Sequence, residues 1–194
     1  MPTLAVWTPD DGLLAAVAPL ALAVAGPDAT LVADLDEAGP RYPGDGSLAD
    51  LAVDGPRRSD LEPERRRGTA VLRNGGISAV AALEVVEALV AGWPSVVLRL
   101  PPRPDPDLAG LLDRHRIPLV PVIALPPVDL WPDRLAEGAA AVMQPTRWRQ
   151  QAPRPGPVLP RPRGGSWESL LRGRIRSGDR WVRAWRSVWE FPWR

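Results

Sequence analysis

Three places in the 194-residue chain put charged side chains where chemistry could be done. Asp10 and Asp11 sit in the polar turn Thr8-Pro9-Asp10-Asp11-Gly12, between the apolar run Leu4-Ala5-Val6-Trp7 and an Ala/Leu-rich run that ends at Ala25. Asp34 and Asp36 close a second apolar run, Thr30 to Ala33, and Arg99 falls near the end of a third, Ser95 to Leu100. Paired carboxylates can hold a divalent cation or divide acid and base work between them. Each pair also has an ordinary role. Asp11 is expected to cap the helix that follows it, where a carboxylate satisfies free N–H groups and complements the helix dipole. Asp34 and Asp36, with no further hydroxyl or carboxylate ligands in view, fit either solvated strand-end residues or partners of Arg99 in an internal ion pair.

Composition removes other chemistries. There are no cysteines, so disulfides and thiolate metal sites are excluded. The one histidine, His115, rules out a His-based zinc cluster, and its neighbours Arg114 and Arg116 suit a surface position. All 24 basic residues are arginine. Without lysine there is no Schiff base, no lysine general base and no phosphate-binding lysine. We therefore expect no catalytic residue, no metal and no cofactor.

The elements around these residues alternate. A strand (Thr3 to Trp7), a helix (to Ala25) and a strand (Thr30 to Asp34) form a β-turn-α-β unit, whose turn is where a nucleotide phosphate would normally sit. Glu37 to Gly68 reads mostly as loop, with a short helix at Ser47 to Val53 and the charged run Glu62 to Arg67. Thr69 to Arg73 is a strand candidate followed by an Asn74-Gly75-Gly76 turn. Ser78 is expected to cap a buried helix, Ala79 to Ala91. Ser95 to Leu100 is a β-branched strand without alternation, the mark of burial on both faces. A helix follows over Asp107 to Arg116, then a strand-like run, Ile117 to Leu125, which Pro118 and Pro121 would confine to an imperfect or edge position. Trp131 to Gly138 reads as a helix and Ala139 to Met143 as a last strand. This order predicts a mainly parallel sheet with helices on both faces.

Beyond residue 145 the composition changes. Residues 146–165 are Pro- and Arg-rich and read as an extended polyproline II spacer. On a helix over Asp179 to Glu190, Trp181, Trp185, Val188 and Trp189 share one face, away from Arg180, Arg183 and Arg186. With Trp193, this is the pattern of a helix lying in a membrane interface. Charge supports it: residues 1–60 carry three Arg against ten acids, a net of −7, while residues 145–194 carry twelve Arg against three, a net of +9. Leu13 to Ala25 is apolar and ends Ala-Val-Ala, but Asp10 and Asp11 have the wrong sign for a signal peptide. No run reaches the roughly 18 apolar residues of a membrane span.

Over Thr3 to Met143 the motif order resembles the MinD/ParA group of deviant P-loop ATPases, including its CpaE-like members. That group's first strand leads into approximately K-G-G-x-G-K-T. Here the stretch is Asp10-Asp11-Gly12-Leu13-Leu14-Ala15-Ala16, so only Gly12 survives. The signature lysine falls on Asp10, the phosphate lysine on Ala15 and the magnesium-binding hydroxyl on Ala16. The D-x-D motif is matched by Asp34 and Asp36. The later D-T-P-P strand end becomes Arg99-Leu-Pro-Pro102. The resemblance implies a three-layer P-loop fold over 1–145, with a degenerate nucleotide site whose Arg99 replaces a metal ligand. It implies a pseudo-ATPase acting as scaffold or regulator, paired with an ATPase paralogue or itself. With the tail, the expected location is the cytoplasmic membrane face. Alternatives are a tail that docks a protein or binds nucleic acid, or an atypical ATPase.

Overall fold

In the computed structural model, strands that are apolar on both faces assemble a parallel sheet that must be covered twice. The structure describes residues 2–9, 12–39, 41–43, 46–55, 68–125, 139–145, 154–163, 165–172 and 178–193. In chain order the elements are β1 (Thr3–Trp7), α1 (Leu13–Val24), β2 (Thr30–Asp34), α2 (Leu48–Asp54), β3 (Thr69–Leu72), α3 (Leu83–Gly92), β4 (Ser95–Arg99), α4 (Pro106–Arg114), β5 (Leu119–Leu125), β6 (Val142–Pro145), α5 (Ser166–Leu171), α6 (Arg180–Ala184) and α7 (Arg186–Glu190). The sheet order is β3-β2-β4-β1-β5-β6, and every pairing is parallel.

Alternate strand residues feed two cores. Ala5, Trp7, Leu31, Ala33, Val96, Leu98 and Ile123 pack with α2, α3 and α4. Leu4, Val6, Val32, Val97, Val120 and Val122 pack with α1 and the tail helices. Helices on both faces of a parallel sheet make a three-layer α/β fold. At about 25 cal/mol per Å² of apolar surface buried, the two cores supply the main stabilisation.

α1 explains the tail. Its residues Leu14 to Ala23 are all buried, so it has no polar face to offer solvent. A helix that is apolar all round must be covered on the side away from the sheet. Leu170, Trp181, Val182, Trp185 and Val188 supply that cover.

Several sequence expectations shift. Gly12 stands at the α1 N-cap in extended conformation, and the cap expected of Asp11 falls on a residue outside the described ones. Residues 79–82 form a turn, so α3 starts at Leu83; the Ser78 hydroxyl accepts from the Ala81 N–H within that turn. β5 is interior rather than at an edge. Pro121 is tolerated because it pairs with Trp7, the last residue of β1, while the β6 pairing begins one residue later at Val122. Its missing N–H falls where one neighbour ends and the other starts. The last strand is Val142–Pro145 rather than Ala139 to Met143. The Trp131 to Gly138 helix and the Glu62 to Arg67 run lie outside the described residues.

The Pro-rich segment is not a free spacer where it is described. Ala141 and Met143 donate to the Pro155 and Pro157 carbonyls, Leu159 donates back to Met143, and Leu159 is buried. Residues 155–159 thus run along the outer side of β6, with Met143 bridging Val158 in parallel. Prolines fit an edge because their missing N–H would face outward.

Candidate functional site

β2 and β4 are adjacent and parallel, so their C-terminal ends arrive together: Asp34 pairs in register with Arg99, and Arg99 with Val6 of β1. Arg99 Nη1 lies 3.3 Å from Asp34 Oδ2, and Nη2 lies 2.7 Å from Asp36 Oδ2. All three residues are buried, at 1%, 1% and 3% exposure. Asp34 and Asp36 are therefore not solvated strand-end residues. The remaining oxygens are also engaged. Asp34 Oδ1 accepts from the Asp36 N–H, and Asp36 Oδ1 accepts from the N–H groups of Ala38 and Gly39. Burial pushes the Asp34 carboxyl up to about 6, against the opposing pull of Arg99.

Two residues that sequence reading missed close the site. The Tyr42 ring lies under the Arg99 guanidinium, 5.0 Å from ring centroid to Cζ, and its hydroxyl donates to the Ala16 carbonyl at 2.7 Å. Burial drives the Tyr42 phenol well above its ordinary range, so it stays a donor. Gly39 lies so close that a Cβ there would collide with both the guanidinium and the Asp36 carboxylate. The chain's only tyrosine, in a Gly/Pro-rich loop, was the one available signal. Nothing in the sequence marked Gly39 apart from its neighbours.

Tyr42 thus links Arg99, at the end of β4, to α1. Ala15 and Ala16 are buried, and the Ala16 carbonyl is the acceptor for the Tyr42 hydroxyl. Asp10 and Asp11 lie outside the described residues, so their role at the turn has no structural account. A magnesium–nucleotide fits these residues poorly: position 15 offers no cation, position 16 no hydroxyl, and both carboxylates are committed to Arg99. Among the described residues no group of three or more His, Cys, Asp or Glu could hold a metal ion. His115 is a surface residue, 3.3 Å from Glu87.

Beside the ion pair an open cleft of about 550 Å³ lies over the C-terminal ends of β1, β2 and β4. Pro9, Glu37, Ser78, Pro102, Arg103 and Asp105 line it. Ligand crevices of open parallel sheets form at such strand ends. Trp7 fixes one wall by donating its indole N–H to the Pro102 carbonyl at 3.0 Å, and Asn74 fixes another, bonding to the carbonyls of Asp34 and Ile77.

The expected contact surface of the tail is divided. Trp181 and Trp185 are 1% and 0% exposed, packed in the core edge to face at 5.5 Å, with the Trp181 indole N–H donating to Gln144 Oε1 at 2.6 Å. They are not available for insertion into a membrane, because α1 already occupies that face. Trp189 and Trp193 are half-buried. The single helix expected over Asp179 to Glu190 is two short ones that meet at Trp185. Arg183 and Arg186 are exposed, as are Arg172 and Arg180.

No family model matches the chain, and no curated protein matches it. Among solved structures it is similar to the crystal structure of a ParA family ATPase from Chlorobium tepidum TLS, with a TM-score of 0.67 over 97% of this chain and 98% of that one. Sequence identity is 8%, so the likeness establishes the fold, a ParA-type parallel sheet between helical layers. No helix among the described residues is long and apolar enough to cross a membrane.

Proposed function

We propose that this chain is a non-catalytic protein of the MinD/ParA type, a scaffold or regulator whose nucleotide site has been replaced by an internal ion pair. One observation carries the reading: Arg99 is buried at a strand end, held by both Asp34 and Asp36, with its guanidinium over the Tyr42 ring. In the resemblance, that is where magnesium and phosphate would be coordinated. A guanidinium supplies the positive charge permanently, and the methyl groups of Ala15 and Ala16 supply no phosphate contact. A phosphate loop needs backbone N–H groups, a cation and a metal ion together. Calorimetric titration with magnesium-ATP tests the reading. No saturable binding is expected up to millimolar nucleotide; low-micromolar affinity would overturn it and favour an atypical ATPase.

The work left to such a fold is protein contact, with an ATPase paralogue, a CpaE-like system or a second copy. The open cleft at the strand ends is the surface that would carry it.

A second reading concerns the tail. Its outward face is arginine: Arg172, Arg180, Arg183 and Arg186 are exposed while the tryptophan seam is turned inward. Contact with the anionic cytoplasmic face of a membrane would then rest on charge, at about 1 kcal/mol per arginine, rather than on tryptophan insertion. Flotation with anionic liposomes tests this. Arg180, Arg183 and Arg186 changed together to Gln should abolish binding without loss of fold. Binding that survives the change sinks the membrane role, and a salt-sensitive shift of nucleic acid would redirect it.

A further inference from the structure

A second cleft opens at the opposite end of the sheet, beside the N-terminal end of β1 and the turn after α4. Its volume is about 360 Å³, within the range of small-molecule pockets. Its lining includes the rings of Trp189, Phe191 and Trp193 together with His115 and Arg116. The polar edges of the two indoles are already satisfied: Trp189 donates to the Leu22 carbonyl at 2.9 Å and Trp193 to the Val188 carbonyl at 2.8 Å. The Phe191 and Trp193 rings meet at 4.6 Å and 56°. What the wall offers a ligand is ring surface.

The lining also offers charge. Arg114 and His115 both lean on Glu87, at 2.9 and 3.3 Å. Arg116 is exposed and has no ion-pair partner among the described residues. Its backbone is left-handed, φ 52, at the position where a helix terminus normally carries glycine. The Arg116 N–H bonds to the Asp113 carbonyl and the Ile117 N–H to the Leu112 carbonyl, completing the helix-ending motif. An arginine there is strained where glycine would be relaxed, so the fold itself gives no reason for the side chain.

We propose that this cleft binds a small planar aromatic carboxylate. The ring would stack against Trp193 and Phe191, and the carboxylate would pair with the Arg116 guanidinium. A neutral aromatic would leave the guanidinium unmatched, and an aliphatic anion would leave the ring wall unused. The site is far from the Arg99 ion pair, at the other end of the strands, and its test is independent of nucleotide binding.

The experiment uses the full chain, 1-naphthoate as probe and 1-naphthalenemethanol as its neutral counterpart, followed by calorimetry. Arg116→Gly removes the charge and relieves the left-handed backbone, so the variant should melt no lower than the wild type. Arg116→Asn, which also tolerates this conformation, serves as the second variant. The wild type should bind naphthoate saturably, one per chain, and at least tenfold more tightly than the alcohol. Either Arg116 variant should weaken naphthoate about tenfold and leave the alcohol unchanged, while Trp193→Leu weakens both. Absence of saturable naphthoate binding by the wild type, or equal affinity in a folded Arg116 variant, overturns the proposal.

Discussion

Arg99 Nη2 lies 2.7 Å from Asp36 Oδ2, with both side chains 1% exposed. A guanidinium shared by two carboxylates out of water is sensitive to the loss of any member, because the remaining charges stay buried without compensation. Arg99→Met should therefore cost about 3–5 kcal/mol at pH 7. Urea denaturation measures it. A change below 1 kcal/mol would mean that the carboxylates find solvent or another cation.

Asp34 sets a pH dependence. Its carboxyl is pushed up from 3.8 to about 6, chiefly by burial. Between those values the folded chain holds a proton at this site and the unfolded chain does not. The contribution to stability is thus fully present below about pH 4 and is lost as pH rises through about 6. Relative to Asp34→Asn, the wild type should gain about 1 kcal/mol on going from pH 7 to pH 5. Parallel denaturation curves of the two proteins at both pH values check the sign. A wild type that loses ground to Asp34→Asn on acidification contradicts the burial argument.

Gly39 tests how tightly the ion pair is roofed. A methyl group at this position meets Arg99 and Asp36 directly. Gly39→Ala should cost about 1–3 kcal/mol, the usual penalty of overpacking. The penalty should fall when combined with Arg99→Met, since the methyl then meets a smaller and uncharged neighbour. Strict additivity in the double-mutant cycle would show that the two positions do not touch.

Trp185 distinguishes a core tail from a detachable one. It is fully buried against α1, beside Trp181 and Val188. Trp185→Ala should destabilise the whole chain by about 3–5 kcal/mol. A detachable tail would lose its tryptophan with no change in the melting of the rest.

Near Asp179 the pH response has the opposite sign. Burial pushes its carboxyl up, but hydrogen bonds from the Ser166 hydroxyl and the Trp181 and Val182 N–H groups outweigh that and hold it below its ordinary value. The cap it forms on α6 is present above the unfolded value and weakens as pH falls through the lower folded one. Asp179→Ala should cost about 1 kcal/mol near neutral pH, the usual loss for an N-cap, with the melting temperature as readout.

The strand-helix alternation, the parallel sheet and the meeting of Asp34, Asp36 and Arg99 at one edge were legible in the sequence. Apolar runs without alternation mark strands buried on both faces, and parallel strands bring their C-terminal ends to one side. The spacing of Trp181, Trp185 and Val188 likewise fixed a helical apolar face. What covers such a face is not written in its periodicity, since lipid, a partner and the chain's own core all select the same residues. Only the tertiary structure decided that α1, apolar on every side, needed the tail as its outer layer. It also turned Pro121 into an interior residue through register, and brought Gly39 and Tyr42 against Arg99. Those contacts join residues 57 and 60 positions apart, a relation that packing in three dimensions creates and that no local pattern encodes.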